Sequence, residues 1–181
     1  MRRLLYAVAV GLVGAGIVHI VVLLLLPDFS ERDAWSRLES RGELYRMIRI
    51  DGTPAAAEVI HRSADPLFYV AACRFDLEEG YAHITAPGRV PYWSVSVYDR
   101  SGQNIYSFND RTATSGQLDF VVLTPPQMID VRKELPEALV SSVFVEADID
   151  QGIALVRVFV PDASWAPQMT RYIDGLICRR E

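Results

Sequence analysis

Twenty-three consecutive residues, Leu4 to Leu26, carry no formal charge (LLYAVAVGLVGAGIVHIVVLLLL). At about 1.5 Å per helical residue the run reaches roughly 35 Å, enough to cross a hydrocarbon core of about 30 Å with some tilt. A chain with such a segment divides into a membrane part and a part on one side of the bilayer. A cleaved signal peptide would show an apolar region of about 7–15 residues followed by a small-x-small cleavage site. Here the run ends in Leu23-Leu24-Leu25-Leu26-Pro27-Asp28-Phe29, with no small residues for a peptidase. The expectation is an uncleaved signal anchor over residues 1–27. Arg2 and Arg3 precede it, and positive charge is retained on the cytoplasmic side. The remainder is therefore expected in the periplasm of a bacterial inner-membrane protein.

Ala7, Gly11 and Ala15 fall four apart within the span, a spacing that lets two helices approach closely and suits self-association or a partner span. His19 is the one ionisable side chain at depth, read as a neutral imidazole facing a partner helix or snorkelling rather than as a haem ligand or proton relay. The net charge of the chain is −5, and setting aside the two arginines ahead of the span leaves −7 on the rest. An acidic domain repels phosphate backbones and anionic headgroups, so no nucleic-acid partner is expected. Cys73 and Cys178 both lie beyond the span. An oxidising compartment permits a disulfide between them, while an apolar setting suits Cys73 equally well as a buried thiol.

After the membrane, Phe29 to Ile50 reads as a linker helix (linker bounds 28–54), with Ser30 and Asp33 as a capping signal and Trp35, Leu38, Tyr45 and Ile48 on one face. Gly42 weakens it. Asp51-Gly52-Thr53-Pro54 marks a turn, followed by an ambiguous segment from Ala55 to Ile60. From Asp65 onward the period shortens. Strands are expected at Leu67–Phe75, Tyr81–Ala86, Tyr92–Tyr98, Ile105–Phe108, Leu118–Leu123, Ser142–Ile149 and Ile153–Val160. The clearest alternation places Trp93, Val95 and Val97 on one face and Ser94 and Ser96 on the other. Asp150-Gln151-Gly152 reads as a hairpin connection between the last two strands. Pro125–Leu135 is expected to be helical, as is a final segment from near Ser164, where Trp165, Met169, Tyr172 and Leu176 form a packing stripe. Many short strands without βα alternation predict a mainly β fold, an antiparallel sandwich or barrel-like domain over residues 55–181, flanked by helices.

Chemistry is sparse. There is no G-x-S-x-G elbow, no glycine-rich phosphate loop and no run of His or Cys at metal-ligand spacing, so neither cofactor nor metal is called for. His61 and His83 are the only histidines beyond the span; either can meet a serine in space, but no spacing points to one. Asp76, Glu78 and Glu79 read as a solvated turn. The most informative polar cluster is Asp99, Arg100, Asn104, Asn109, Asp110 and Arg111, which brackets two strands. Gathered at one end of a sheet, such residues can bind a carboxylate or a sugar; dispersed, they make turns and rim ion pairs.

The stretch Asp65-Pro66-Leu67-Phe68-Tyr69, then CRFDLEEGYAHITAP, then PYWSVSVYDRSGQNIYSFNDR, resembles the bacterial family called domain of unknown function twelve-fifty-four, over roughly residues 55 to 165. The aromatic strand ending Tyr-Asp-Arg, followed by a second Asn-Asp-Arg, carries the resemblance. It implies an all-β domain that often accompanies a companion domain, number twelve-fourteen, fused or encoded next door. It carries over no catalytic residue. The expected function is that of an anchored, non-enzymatic accessory to a companion β-domain protein. The alternative is a periplasmic small-ligand binder or hydrolase using the Asp99–Arg111 cluster.

Overall fold

The computed structural model describes residues 1–50, 65, 67–113 and 115–181, with the backbone alone at 26–33. The apolar run begins one continuous helix, α1 (Arg2–Glu39). Its Arg2–Leu25 stretch is long and apolar enough to cross a membrane, and none of it is buried. The separate helix expected from Phe29 to Ile50, with a start at Ser30, does not exist as such. Its first part is the end of α1, and its last residues form a strand, β1 (Met47–Arg49). The switch happens around Gly42, whose N–H closes the helix onto Leu38 O at 3.2 Å. Tyr45 then adopts a left-handed φ of +59°, unusual for a residue with a Cβ. Its N–H donates to Arg74 O at 2.8 Å and its hydroxyl to Asp76 O, which turns the chain into the sheet. Hence β1 lies inside the stretch expected to be linker. The expected turn at Asp51-Gly52-Thr53-Pro54 and the segment Ala55 to Ile60 lie outside the described residues.

The domain is mainly β, as the alternation predicts. The remaining strands and α-helices are β2 (Phe68–Asp76), β3 (Ala82–Thr85), β4 (Trp93–Asp99), β5 (Asn104–Asn109), β6 (Asp119–Leu123), α2 (Pro125–Lys133), β7 (Val143–Glu146), β8 (Gln151–Phe159), α3 (Ala166–Asp174) and β9 (Ile177–Arg180). They build a five-stranded sheet in the order β1-β2-β8-β4-β5 and a four-stranded sheet in the order β7-β6-β3-β9. All pairings are antiparallel except β6–β7, which is parallel. Each expected strand has its counterpart, but β7 and β8 lie in different sheets, so the hairpin expected at Asp150-Gln151-Gly152 is not formed. Gln151 and Gly152 belong to β8 itself. A Cβ on Gly152 would lie 2.6 Å from Phe75 Cζ and 2.7 Å from Tyr98 O, so glycine is there to admit its two neighbouring strands. β1 and β9, with three and four residues, show no readable alternation and went unpredicted.

The two sheets face each other across one core. Cys73 and Phe75 of β2, Trp93, Val95 and Val97 of β4, and Val156 and Val158 of β8 meet Ile84, Phe120 and Val122 from the other sheet. Phe108 stands edge-on to both Trp93 and Phe120. Cys73 and Cys178 are joined in a disulfide, which ties β2 of one sheet to β9 of the other. α3 closes the core with Met169, Tyr172 and Ile173. α2 begins at a capping box, in which Thr124 and Gln127 exchange hydrogen bonds, and buries Met128 and Val131 on the outer face of the four-stranded sheet.

The outer face of the five-stranded sheet receives the end of α1. Trp35 and Leu38 pack on Val70, Ala72 and Ile153. Burying two such side chains stabilises the contact by about 1.5–3 kcal/mol each. Arg74, almost fully buried, secures it: its guanidinium lies 4.9 Å from the Trp35 ring centroid, donates to Gly42 O at 2.9 Å and pairs with Glu39 at 3.6 Å.

Tyr172 gives a test of the core. Its hydroxyl is buried and has no hydrogen-bond partner among the described residues, and burial pushes its pKa well above the ordinary tyrosine value. A raised folded-state pKa means that stability is complete below about pH 10 and falls as pH climbs further, because the unfolded chain loses the proton first. Tyr172→Phe removes an unsatisfied group, so urea unfolding of the protein in detergent should show unchanged stability or a gain of up to about 1 kcal/mol at pH 7. The variant should also decline less steeply between pH 9 and 11 than the parent, by roughly the contribution of one tyrosine. A loss of more than about 1 kcal/mol at neutral pH would contradict an orphaned hydroxyl.

Candidate functional site

The six residues of the Asp99–Arg111 cluster do not gather. Asp99 and Arg100 lie at the β4–β5 turn and Asn104 begins β5, whereas Asn109 ends that strand and Asp110 and Arg111 follow it. Five strand steps separate the two groups by about 17 Å. At the turn, Asp99 accepts from Ser101 Oγ at 2.6 Å and from the Gln103 N–H at 2.8 Å. At the far end, Asn109 Oδ1 accepts from the Arg111 N–H at 3.1 Å. These are side chains that fold turns. Arg100 donates to Gln151 Oε1 at 2.5 Å and stacks 5.5 Å from the Trp35 ring centroid. Together with Glu78, Asp99, Ser101, Asp150 and Gln151 it lines an open cleft of about 440 Å³ at this end of the sheet.

His83 also finds partners that sequence reasoning did not supply. On β3, buried at the outer face, its ring nitrogens lie 3.1 Å from Glu181 Oε1 and 3.0 Å from Asp119 Oδ1. Ser142 Oγ donates to that same Asp119 oxygen at 2.6 Å. The serine thus meets the aspartate rather than the histidine, so no nucleophile–base pair forms here. The two carboxylates hold the ends of β6 and β9 to the middle of β3. His61 lies outside the described residues. Among the described residues no group of three His, Cys, Asp or Glu is arranged to hold a metal ion.

A different cluster does converge, on the outer face of strands β8, β4 and β5. Strand parity sets it: Val95 and Val97 point into the core, so Ser94, Ser96 and Tyr98 point out. On β8, Ala154, Val156 and Val158 point in, leaving Ile153, Leu155, Arg157 and Phe159 outward. Arg157 Nη1 donates to Ser96 Oγ at 3.4 Å, Ser107 Oγ to Ser96 Oγ at 3.1 Å, and Asn104 Nδ2 to Ser107 Oγ at 3.0 Å. Tyr98 sits among them. Burial alone would push its phenol up, but hydrogen bonds with Arg157, Ser96 and Asn104, together with the Arg157 charge, outweigh burial and hold its pKa below the ordinary tyrosine value. The result is a half-open floor of hydroxyls, an amide, a phenol and a guanidinium beside the wall made by the end of α1. Of the sequence-picked cluster only Asn104 belongs to it. The serines were legible as the polar face of β4, but Arg157 was not, because its partners lie on a strand more than fifty residues away.

This geometry predicts a titration. Absorbance of the phenols against pH should lose its lowest-titrating component in Tyr98→Phe, and in Arg157→Gln that component should move up into the ordinary range near 10. A titration curve indifferent to Arg157→Gln would show that the guanidinium does not govern Tyr98.

The sequence profile described as "Protein of unknown function (DUF1254)" matches residues 50–180. In fold the chain is similar to the VPA0106 protein from Vibrio parahaemolyticus, with a TM-score of 0.60 and 16% identity, covering 84% of this chain and 35% of that one. An uncharacterized protein from Burkholderia cenocepacia gives a TM-score of 0.48 and 14% identity, covering 79% of this chain and 36% of that one. The chain thus spans about a third of the length of these proteins. No curated protein matches it.

Proposed function

Starting from the chain's membership of the DUF1254 family of proteins of unknown function, we propose that it is a membrane-anchored envelope protein whose β domain works as a non-enzymatic accessory, docking a companion β-rich protein through the outer edge of β5. The anchor reading rests on α1: Arg2–Leu25 has the length and apolarity of a span, and the same helix runs on to bury Trp35 and Leu38 against the sheet. Arg2 and Arg3 favour a cytoplasmic N-terminus, and the Cys73–Cys178 disulfide suits an oxidising compartment such as the periplasm. The inner membrane of a bacterium meets both conditions. Ala7, Gly11 and Ala15 give the span a face for self-association or for a partner's span.

The observation that carries the docking reading is the state of β5. It is the last strand of its sheet, and its sequence NIYSFN holds no proline and no charge, the usual guards of an exposed edge. Because the Asp110 N–H bonds back to Trp93 O, alternation leaves the Ser107 N–H and C=O facing outward, where an added strand would pair. Tyr106 remains exposed beside it. The recurrence of this fold over 35% of a longer chain supports a unit that works against neighbouring structure.

A photo-crosslinking residue in place of Tyr106 should capture one defined membrane-associated protein in the native envelope, and the same group at the remote Ile129 should not. Ser107→Pro removes the outward donor while sparing the β4 ladder, so it should abolish the crosslink without unfolding the domain. Equal labelling from both positions, or a crosslink insensitive to Ser107→Pro, would overturn docking at this edge.

A further inference from the structure

We propose that the floor around Arg157 is a binding site for a small hydroxylated monocarboxylate, with the carboxylate on the Arg157 guanidinium and the ligand's hydroxyls on Ser107 and Asn104. This does not depend on the docking reading, since it uses the face of β4, β5 and β8 rather than the edge of β5.

Three observations carry it. First, the outward residues on either side of Arg157 along β8 are apolar: Leu155, with Ile153 beyond it, and Phe159. A cation placed there is partly desolvated, which is costly unless an anion meets it. Second, two other arginines of this sheet, Arg74 on β2 and Arg49 on β1, each meet an anion and a ring. Arg74 pairs with Glu39, Arg49 with Asp174, and Arg49 and Arg74 both stack on aromatic rings. Among the described residues no carboxylate forms an ion pair with Arg157; its contacts are the neutral Ser96 and Tyr98 hydroxyls. A guanidinium has five N–H donors in a planar fork, and these contacts leave room for a bidentate acceptor.

Third, the surrounding groups select the class of anion. The floor holds one cation and four neutral hydrogen-bonding side chains, Ser96, Tyr98, Asn104 and Ser107. One carboxylate balances one guanidinium, whereas a phosphate dianion would bring an uncompensated charge to a chain whose net charge is already −5. Serine hydroxyls and an asparagine amide both donate and accept, which matches a ligand's alcohol groups. Asn104 and Ser107 are exposed, so the floor is open from the solvent side.

The test uses the full chain in detergent micelles, with sodium gluconate, sodium propionate and inorganic phosphate as probes at matched ionic strength. NMR of the arginine Nε–H signals, with Arg157 assigned through Arg157→Gln, reports binding at the site. Gluconate should shift the Arg157 signal saturably, propionate should bind more weakly, and phosphate should bind weakest. Arg157→Gln should weaken gluconate by about tenfold or more, read from the neighbouring Ser96 and Ser107 amides, and Ser107→Ala by about threefold. Should Arg157→Gln fail to fold, Tyr98→Phe combined with Ser107→Ala takes its place, with an expected loss of about tenfold. No saturable shift with gluconate, equal affinity for gluconate and propionate, tighter binding of phosphate, or indifference to these substitutions would each overturn the assignment.

Discussion

The nine-residue ladder between β2 and β8 is the constraint on which the rest of the molecule depends. It runs without interruption from Phe68 opposite Phe159 to Asp76 opposite Gln151, and β8 in turn carries β4 on its other side. Because side chains alternate along a strand, the register decides both faces at once. Cys73 and Phe75 are directed inward to β9 and the core, while Val70, Ala72 and Arg74 are directed outward to the end of α1. A slip of one residue would put the arginine in the core and the cysteine on the surface. The disulfide to Cys178 and the Arg74–Trp35 contact therefore lock the same register from opposite sides.

That ladder also explains which parts of the fold were legible. Alternation along Trp93–Val97 and the apolar run of β2 are local properties, and both strands were found from them. Which strand lies beside which is not local. β2 pairs with a strand that follows it by most of the domain, and the short link from β7 into β8 crosses between sheets instead of closing a hairpin. Asp150-Gln151-Gly152 carries turn-forming residue types, yet Gly152 is there because Phe75 and the backbone of Tyr98 leave no room for a Cβ. The extended apolar helix hid the short strand β1, and the end of α3 hid β9. Strands of three or four residues show too few alternations to declare themselves.

The polar clusters follow the same logic. Asp99 and Asn109 drew notice because Asx residues concentrate at the ends of strands, and in the structure that is what they do: each closes its own turn, at opposite ends of one hairpin. Arg157 attracts no notice in a sequence of alternating apolar residues. It becomes informative only when β8 is laid against β4, which places Ser96, Tyr98, Ser107 and Asn104 around its guanidinium. The outer face of the five-stranded sheet is in this way shared between an apolar half under α1 and a polar half on β4, β5 and the Arg157 end of β8. The membrane-length helix α1 thus ends against the apolar half of that face.

The β2–β8 register presents Cys73 to Cys178, and the disulfide between them ties the two sheets together. The direct measurement is peptide mapping of the protein taken from its own membranes, with free thiols alkylated at the moment of lysis and no reductant added. The structure predicts a linked peptide pair containing Cys73 and Cys178 and no alkylation at either. Recovery of both cysteines as alkylated, unlinked peptides would contradict it.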